Sequence, residues 1–97
     1  MKISKSGSYY GEKSFEIRTS QFIISEYDYL EKSTPWHFHE NPYFMYVIEG
    51  YMLDINNKQK SICPAGSFLF HNWQDPQLNK KESFSARGVH IEFYRNW

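Results

Sequence analysis

The chain has a single cysteine, Cys63, so no intramolecular disulfide and no cysteine-based zinc site can form. That usage suits a reducing, cytoplasmic setting. No spacing pairs Cys63 with an activating base, and its place at the end of an expected strand reads as a small buried core residue. No apolar run approaches the ~18 residues that suggest a membrane span. The polar stretch from Met1 to Gly11 lacks the apolar centre of a signal peptide. The expectation is a soluble protein with no membrane partner that is not exported. Charge of one sign is not in excess either, since eleven Lys and Arg balance eleven Asp and Glu. Without a basic surplus the electrostatic term that dominates nucleic-acid affinity is missing, so this segment is not expected to bind DNA by itself. Internal repeats, low-complexity tracts and linkers are absent, as is any amphipathic run long enough for a stable helix. Lys58-Gln59-Lys60 and Lys80-Lys81-Glu82 are short charge clusters that read as solvated hairpin and loop residues.

What the chain does have is aromatic residues: eight Tyr, eight Phe and three Trp in 97 residues. Such side chains suit a half-buried pleated surface or a cavity wall. The length fits one small domain, 1–97, around one core. Phe15 and Ile17 alternate with charged residues, and Gln21–Leu30 has period-two character, so both read as strands. Ser33-Thr34-Pro35 interrupts, and a new strand starts at His37. Phe44–Ile48 is apolar on both faces. Gly50 bends the chain into Tyr51–Ile55, Asn56-Asn57-Lys58 forms a hairpin turn, and Gln59–Cys63 returns antiparallel. Pro64-Ala65-Gly66 is the next corner, with Ser67–His71 and Arg87–Tyr94 as further strands and Asn72–Gln77 and Asn79–Glu82 as polar loops. Seven or so short strands punctuated by turns argue for an all-β barrel or sandwich.

Residues 36–50 read Trp-His-Phe-His-Glu-Asn-Pro-Tyr-Phe-Met-Tyr-Val-Ile-Glu-Gly. On an extended strand His37 and His39 point to the same side, about 7 Å apart, with Phe38 opposite. The run resembles the first conserved motif of the cupin barrels, and most of all the cupin-type sensor domains of AraC-type transcriptional regulators. In that motif a glutamate follows the second histidine by four residues and a glycine comes seven further on. Here Tyr43 fills the glutamate position and Gly50 the glycine. Pro64-Ala65-Gly66-Ser67-Phe68-Leu69-Phe70-His71 resembles the Pro-Gly segment that opens the second motif. Asp75-Pro76-Gln77 stands where such regulators have a Pro-His pair, so Gln77 replaces a histidine. Gly88-Val89-His90-Ile91-Glu92-Phe93 resembles their last strand, and Gly7-Ser8-Tyr9-Tyr10-Gly11 with Thr34-Pro35-Trp36 their N-terminal part.

The resemblance implies a single cupin-like jelly-roll barrel, a double-stranded β-helix. In metal-binding cupins three histidines and a glutamate converge on a first-row divalent ion. Of those positions only His37 and His39 remain. Tyr43 is a poor ligand because its phenol titrates near pH 10, and Gln77 offers a neutral carbonyl oxygen. No cofactor is expected, and His37 and His39 would hold a divalent metal only weakly unless His71, Glu40 or His90 adds a ligand. Read singly, His71 begins a turn and anchors Asn72 or nearby backbone. His90 packs on a strand between Val89 and Ile91, and Glu40 and Asn41 organise the turn ahead of Pro42.

By the cupin analogy Tyr43, Met45 and Val47 face inward, and Phe44, Tyr46 and Ile48 outward. Trp36, His37, His39, Tyr43, Met45 and Gln77 are the candidate ligand-binding residues, with Trp36, Tyr43 and Met45 as an apolar wall facing the imidazoles; core filling alone is the simpler reading for Met45 and Val47. The implied function is the ligand-sensing and dimerisation module of an AraC-type regulator, with a small-molecule effector in the barrel and a homodimer as the working state. Such regulators continue into two helix-turn-helix motifs, so DNA is expected to be reached only through a C-terminal domain outside this chain. The alternative is a small metal-dependent cupin enzyme, a dioxygenase or isomerase.

Overall fold

The computed structural model describes residues 2–7, 9–73 and 75–94; Met1, Ser8, Gln74 and 95–97, including Trp97, lie outside that description. Every regular element among the described residues is a strand: β1 (Lys2–Ser4), β2 (Glu12–Arg18), β3 (Phe22–Asp28), β4 (His37–His39), β5 (Tyr43–Glu49), β6 (Tyr51–Ile55), β7 (Lys60–Pro64), β8 (Phe68–His71), β9 (Leu78–Lys81) and β10 (Arg87–Phe93). The architecture is all-β, as the alternation and the turn residues require. No helix among the described residues is long and apolar enough to cross a membrane.

β2, β3, β10, β5 and β8 form one antiparallel sheet in that order, β7, β6 and β9 a second, and β1 runs parallel to β4. Isolated bridges, Ser33 to Lys80 and His37 to Gln77, tie the β4 region to the chain around β9. Side chains from both sheets meet in the core, with Tyr43, Met45 and Val47 from β5, Met52 from β6 and Cys63 from β7, joined by Tyr29 and Ala86. Cys63 is thus a core residue.

Two elements differ from the sequence reading. The 79–82 stretch, expected as a polar loop, is mostly strand: β9 pairs with β6 from Met52 opposite Lys81 to Ile55 opposite Leu78. Long-range backbone pairing creates this strand, and Asn79 is accommodated because its amide donates to Asp54 Oδ1 at 2.6 Å. β1 also had no local signal, being three residues held by pairing with β4.

The turns follow from their residues. Asn56 Oδ1 accepts hydrogen bonds from Lys58 N at 2.8 Å and Gln59 N at 2.9 Å, an Asx turn that closes the β6–β7 hairpin. Gly50 has φ +87°, and a Cβ there would overlap the Ser85 carbonyl and crowd Ala86. Only glycine joins β5 to β6 at that point.

β5 shows the parity of the large sheet. Tyr43, Met45 and Val47 are buried, Phe44 is half-buried, and Tyr46 and Ile48 are exposed. Directly paired residues share a face, so the register places Ile17, Ile24, Ile91, Phe44 and Phe70 in one outward row across all five strands.

Candidate ligand-binding site

β4 alternates as extended chain must: His37 and His39 are buried, Phe38 lies between them half-buried, and the imidazole centroids are 5.1 Å apart. Reciprocal backbone hydrogen bonds of 3.0 and 2.9 Å pair His37 with Gln77. His37 Nδ1 sits 2.8 Å from the Pro35 carbonyl, which fixes it as the donor and leaves Nε2 with a lone pair. From β5, Tyr43 donates its hydroxyl proton to Gln77 Oε1 at 3.0 Å. Its ring stacks on His71 at 4.9 Å and meets His39 edge-on at 4.6 Å.

β10 contributes His90 and Glu92, two residues apart and both buried. Tyr9 stacks on His90 at 3.7 Å, and His90 Nε2 lies 2.7 Å from the Tyr29 hydroxyl. The Glu92 carboxylate accepts hydrogen bonds from Gly7 N at 3.0 Å, Tyr9 Oη at 2.9 Å and Asn41 Nδ2 at 2.7 Å. That network fastens the N-terminal segment across the histidines.

All four histidines of the chain are therefore inside, and burial depresses each of them. His39 falls to about 2, with the neighbouring imidazoles of His37, His90 and His71 adding to the effect. His90 falls to about 3, chiefly by burial. His37 is lowered by burial against the Pro35 carbonyl, and His71 by burial against the opposing carboxylates of Asp54 and Asp75. Burial likewise pushes the phenols of Tyr9 and Tyr43 above their usual value. At neutral pH the interior offers uncharged imidazoles and phenols beside the carboxylates of Glu92 and Asp54. Several of its atoms have no hydrogen-bond partner among the described residues: His39 Nδ1, His71 Nε2, His90 Nδ1 and Gln77 Nε2. Buried polar groups of that kind call for a partner.

The donor set does not fit a resident divalent ion. Among the described residues no three His, Cys, Asp or Glu side chains come together to hold one. Tyr43 and Gln77, at two positions where metal-binding cupins carry ligands, are hydrogen-bonded to each other.

Of the residues singled out in the sequence, His37, His39, Tyr43 and Gln77 converge. Met45 belongs to the core, where its sulfur accepts from the Tyr29 hydroxyl at 3.4 Å. Trp36 is 40% exposed, as the residue preceding the buried His37, and does not form a wall against the imidazoles. Asn41 does more than shape a turn, since it binds Glu92, and Glu40 accepts from Ser6 N at 2.5 Å. Tyr9, Tyr29, Asp54 and Glu92 were not singled out for the site. The one local signal was the shared parity of His90 and Glu92 on β10. Among the described residues, clefts border this cluster at Tyr9 and at His71. One of about 280 Å³ is lined by Ile3, Ser4, Lys5, Tyr9 and Tyr10, and one of about 210 Å³ by Asn56, Asn57, Lys58, His71, Asp75 and Pro76.

Two facing antiparallel sheets define the fold as a jelly-roll barrel, with the histidine and tyrosine cluster in its interior. Solved cupin structures share this fold. A cupin-2 domain protein from Shewanella frigidimarina superposes with a TM-score of 0.75 at 14% identity, covering 90% of this chain and 84% of that one. A cupin domain from Bordetella pertussis gives 0.65 at 17%, covering 91% and 99%. The polyketide cyclase RemF from Streptomyces resistomycificus gives 0.70 at 19%, covering 91% and 71%. The chain has the cupin fold, and at these identities the likeness speaks to fold alone. No family model and no curated protein matches it by sequence.

Proposed function

We propose that this chain is a ligand-sensing and dimerisation module of the AraC-regulator type, which binds a small organic effector in the barrel without a metal. The observation that carries this reading is the Tyr43–Gln77 hydrogen bond. It engages two positions that would otherwise supply metal ligands and leaves the buried, neutral His37, His39 and His71 to recognise uncharged or polar groups by hydrogen bonding. Effector binding would shift the population of barrel states and so bias an attached DNA-binding domain. The outward row of Ile17, Ile24, Ile91, Phe44 and Phe70, exposed at Ile17 and Phe70 and half-buried between them, supports a second copy of the chain as partner, because an apolar strip across a whole sheet marks an interaction surface.

The competing reading, a small metal-dependent cupin enzyme, draws on His37, whose Nδ1 is anchored to a carbonyl as in ligating histidines. Elemental analysis and thermal shift separate the two. The expected result is far less than one equivalent of Fe, Mn, Ni or Zn, and effector-induced stabilisation that persists in chelator. Gln77→His, which restores an imidazole, is expected to raise metal affinity. Stoichiometric metal that disappears in His37→Ala would move the assignment to the enzyme.

A further inference from the structure

The cleft at the β6–β7 hairpin carries its own chemical signature. Asn56, Asn57 and Lys58 line it from the hairpin, His71 from the end of β8, and Asp75 and Pro76 from the loop before β9. At ~30 Å³ per water, its volume of about 210 Å³ suits a small organic molecule. Lys58 and Asp75 are exposed on different elements, and among the described residues no ion pair joins either to any partner. His71 forms the inner wall. It is buried, its Nε2 lacks a hydrogen-bond partner, and it stands 3.5 Å from Asp54 Oδ1, which also accepts from Asn79.

A simple anion attracted by Lys58 meets Asp75 and, behind His71, Asp54. A simple cation attracted by Asp75 meets Lys58. A molecule with one charge of each sign satisfies both lips and leaves neither uncompensated. We propose that this cleft binds a small zwitterion of the α-amino-acid type, with its carboxylate on Lys58, its ammonium on Asp75 and His71 as the neutral contact beneath. This rests on the reading of the barrel as an effector-binding module and names the class of effector.

The test is an amide chemical-shift titration of the whole chain with L-alanine, acetate and methylammonium. Alanine is expected to shift Asn57, Lys58, His71 and Asp75 saturably, and each single-charge probe to bind at least about tenfold more weakly. Lys58→Ala and Asp75→Asn change exposed positions outside the core, and each is expected to weaken alanine about tenfold or more. Acetate binding as tightly as alanine, no saturable alanine shift, or alanine binding that ignores both variants overturns the proposal. An uncharged effector that shifts His37, His39 and Tyr43 and ignores both variants overturns the zwitterion and leaves the sensing reading intact. Alanine binding at Lys58 and Asp75 in a protein with metal-dependent turnover supports the cleft and removes the sensing reading.

Discussion

Along β10 the inward positions are Gly88, His90 and Glu92, and the outward ones are Val89, Ile91 and Phe93. β5 and β8 continue the contrast, with Tyr43 and His71 inside and Phe44, Phe68 and Phe70 outside. At these positions the sheet inverts the usual assignment of polar residues to water. The inner face is held in part by its own contacts, since Glu92 accepts from three donors, His90 lies against Tyr9 and Tyr29, and Tyr43 donates to Gln77, while His39 Nδ1, His90 Nδ1 and Gln77 Nε2 have no hydrogen-bond partner among the described residues. Polar contacts of this kind rigidify a core, and the apolar exterior is the surface proposed above for a second copy of the chain.

Acid should break the inner half of this comparison with the largest effect. The folded-state values of His39 and His90, about 2 and about 3, lie below the ~6.5 of an unfolded histidine. Between those values the unfolded chain binds protons that the folded chain refuses. The contribution is therefore fully present above pH ~6.5 and is lost as pH falls below it. Each histidine removes roughly 1–2 kcal/mol per pH unit, so these two should lower stability by roughly 4–6 kcal/mol between pH 6.5 and 4.5. His37 and His71, also depressed, act in the same sense. Urea midpoints at the two pH values measure the loss; equal midpoints would mean that the imidazoles are solvated.

Next in size is Glu92→Ala. The substitution leaves Gly7 N, the Tyr9 hydroxyl and the Asn41 amide without their acceptor in a buried setting. The expected loss is about 3 kcal/mol in equilibrium urea unfolding, with Glu92→Gln milder because it keeps one acceptor oxygen. A loss below about 1 kcal/mol would show that solvent reaches those donors.

The same inversion explains what could be read from the sequence. Period-two alternation marked β2 and β3 as strands, the run Phe44–Ile48, apolar on both faces, marked β5, and the cupin resemblance of the Trp36–Gly50 run placed Tyr43, Met45 and Val47 inside. On β10, alternation by itself fixes which residues share a face without saying which face is inside, and an ordinary polar-out expectation would put His90 and Glu92 in water. Their burial depends on Tyr9 and Asn41, which lie 81 and 51 positions away from His90 and Glu92 respectively. Long-range pairing of that kind also makes β1 and β9, whose residues show no local strand pattern. Gln77 was legible through its place after Pro76, but its partnership with Tyr43 depends on the His37–Gln77 backbone bridge, which no local pattern encodes.

The smallest effect on the folded monomer, and the sharpest test of the outer half, belongs to Tyr46→Lys. Tyr46 is 41% exposed and lies in the row of Phe15, Glu26, Val89 and Phe68, next to the fully apolar row centred on Ile91. A lysine there removes little buried area and finds water, so monomer stability should stay within about 0.5 kcal/mol. In a two-fold dimer of these faces the new ammonium meets the partner's aromatic strip, and its charge repeats across the axis. Self-association at micromolar concentration should therefore weaken at least about tenfold, a loss of about 1.4 kcal/mol or more. Sedimentation equilibrium reads both arms. A wild-type chain that runs as a single 11.7 kDa species at every concentration would refute self-association and leave the aromatic strip without the partner proposed for it.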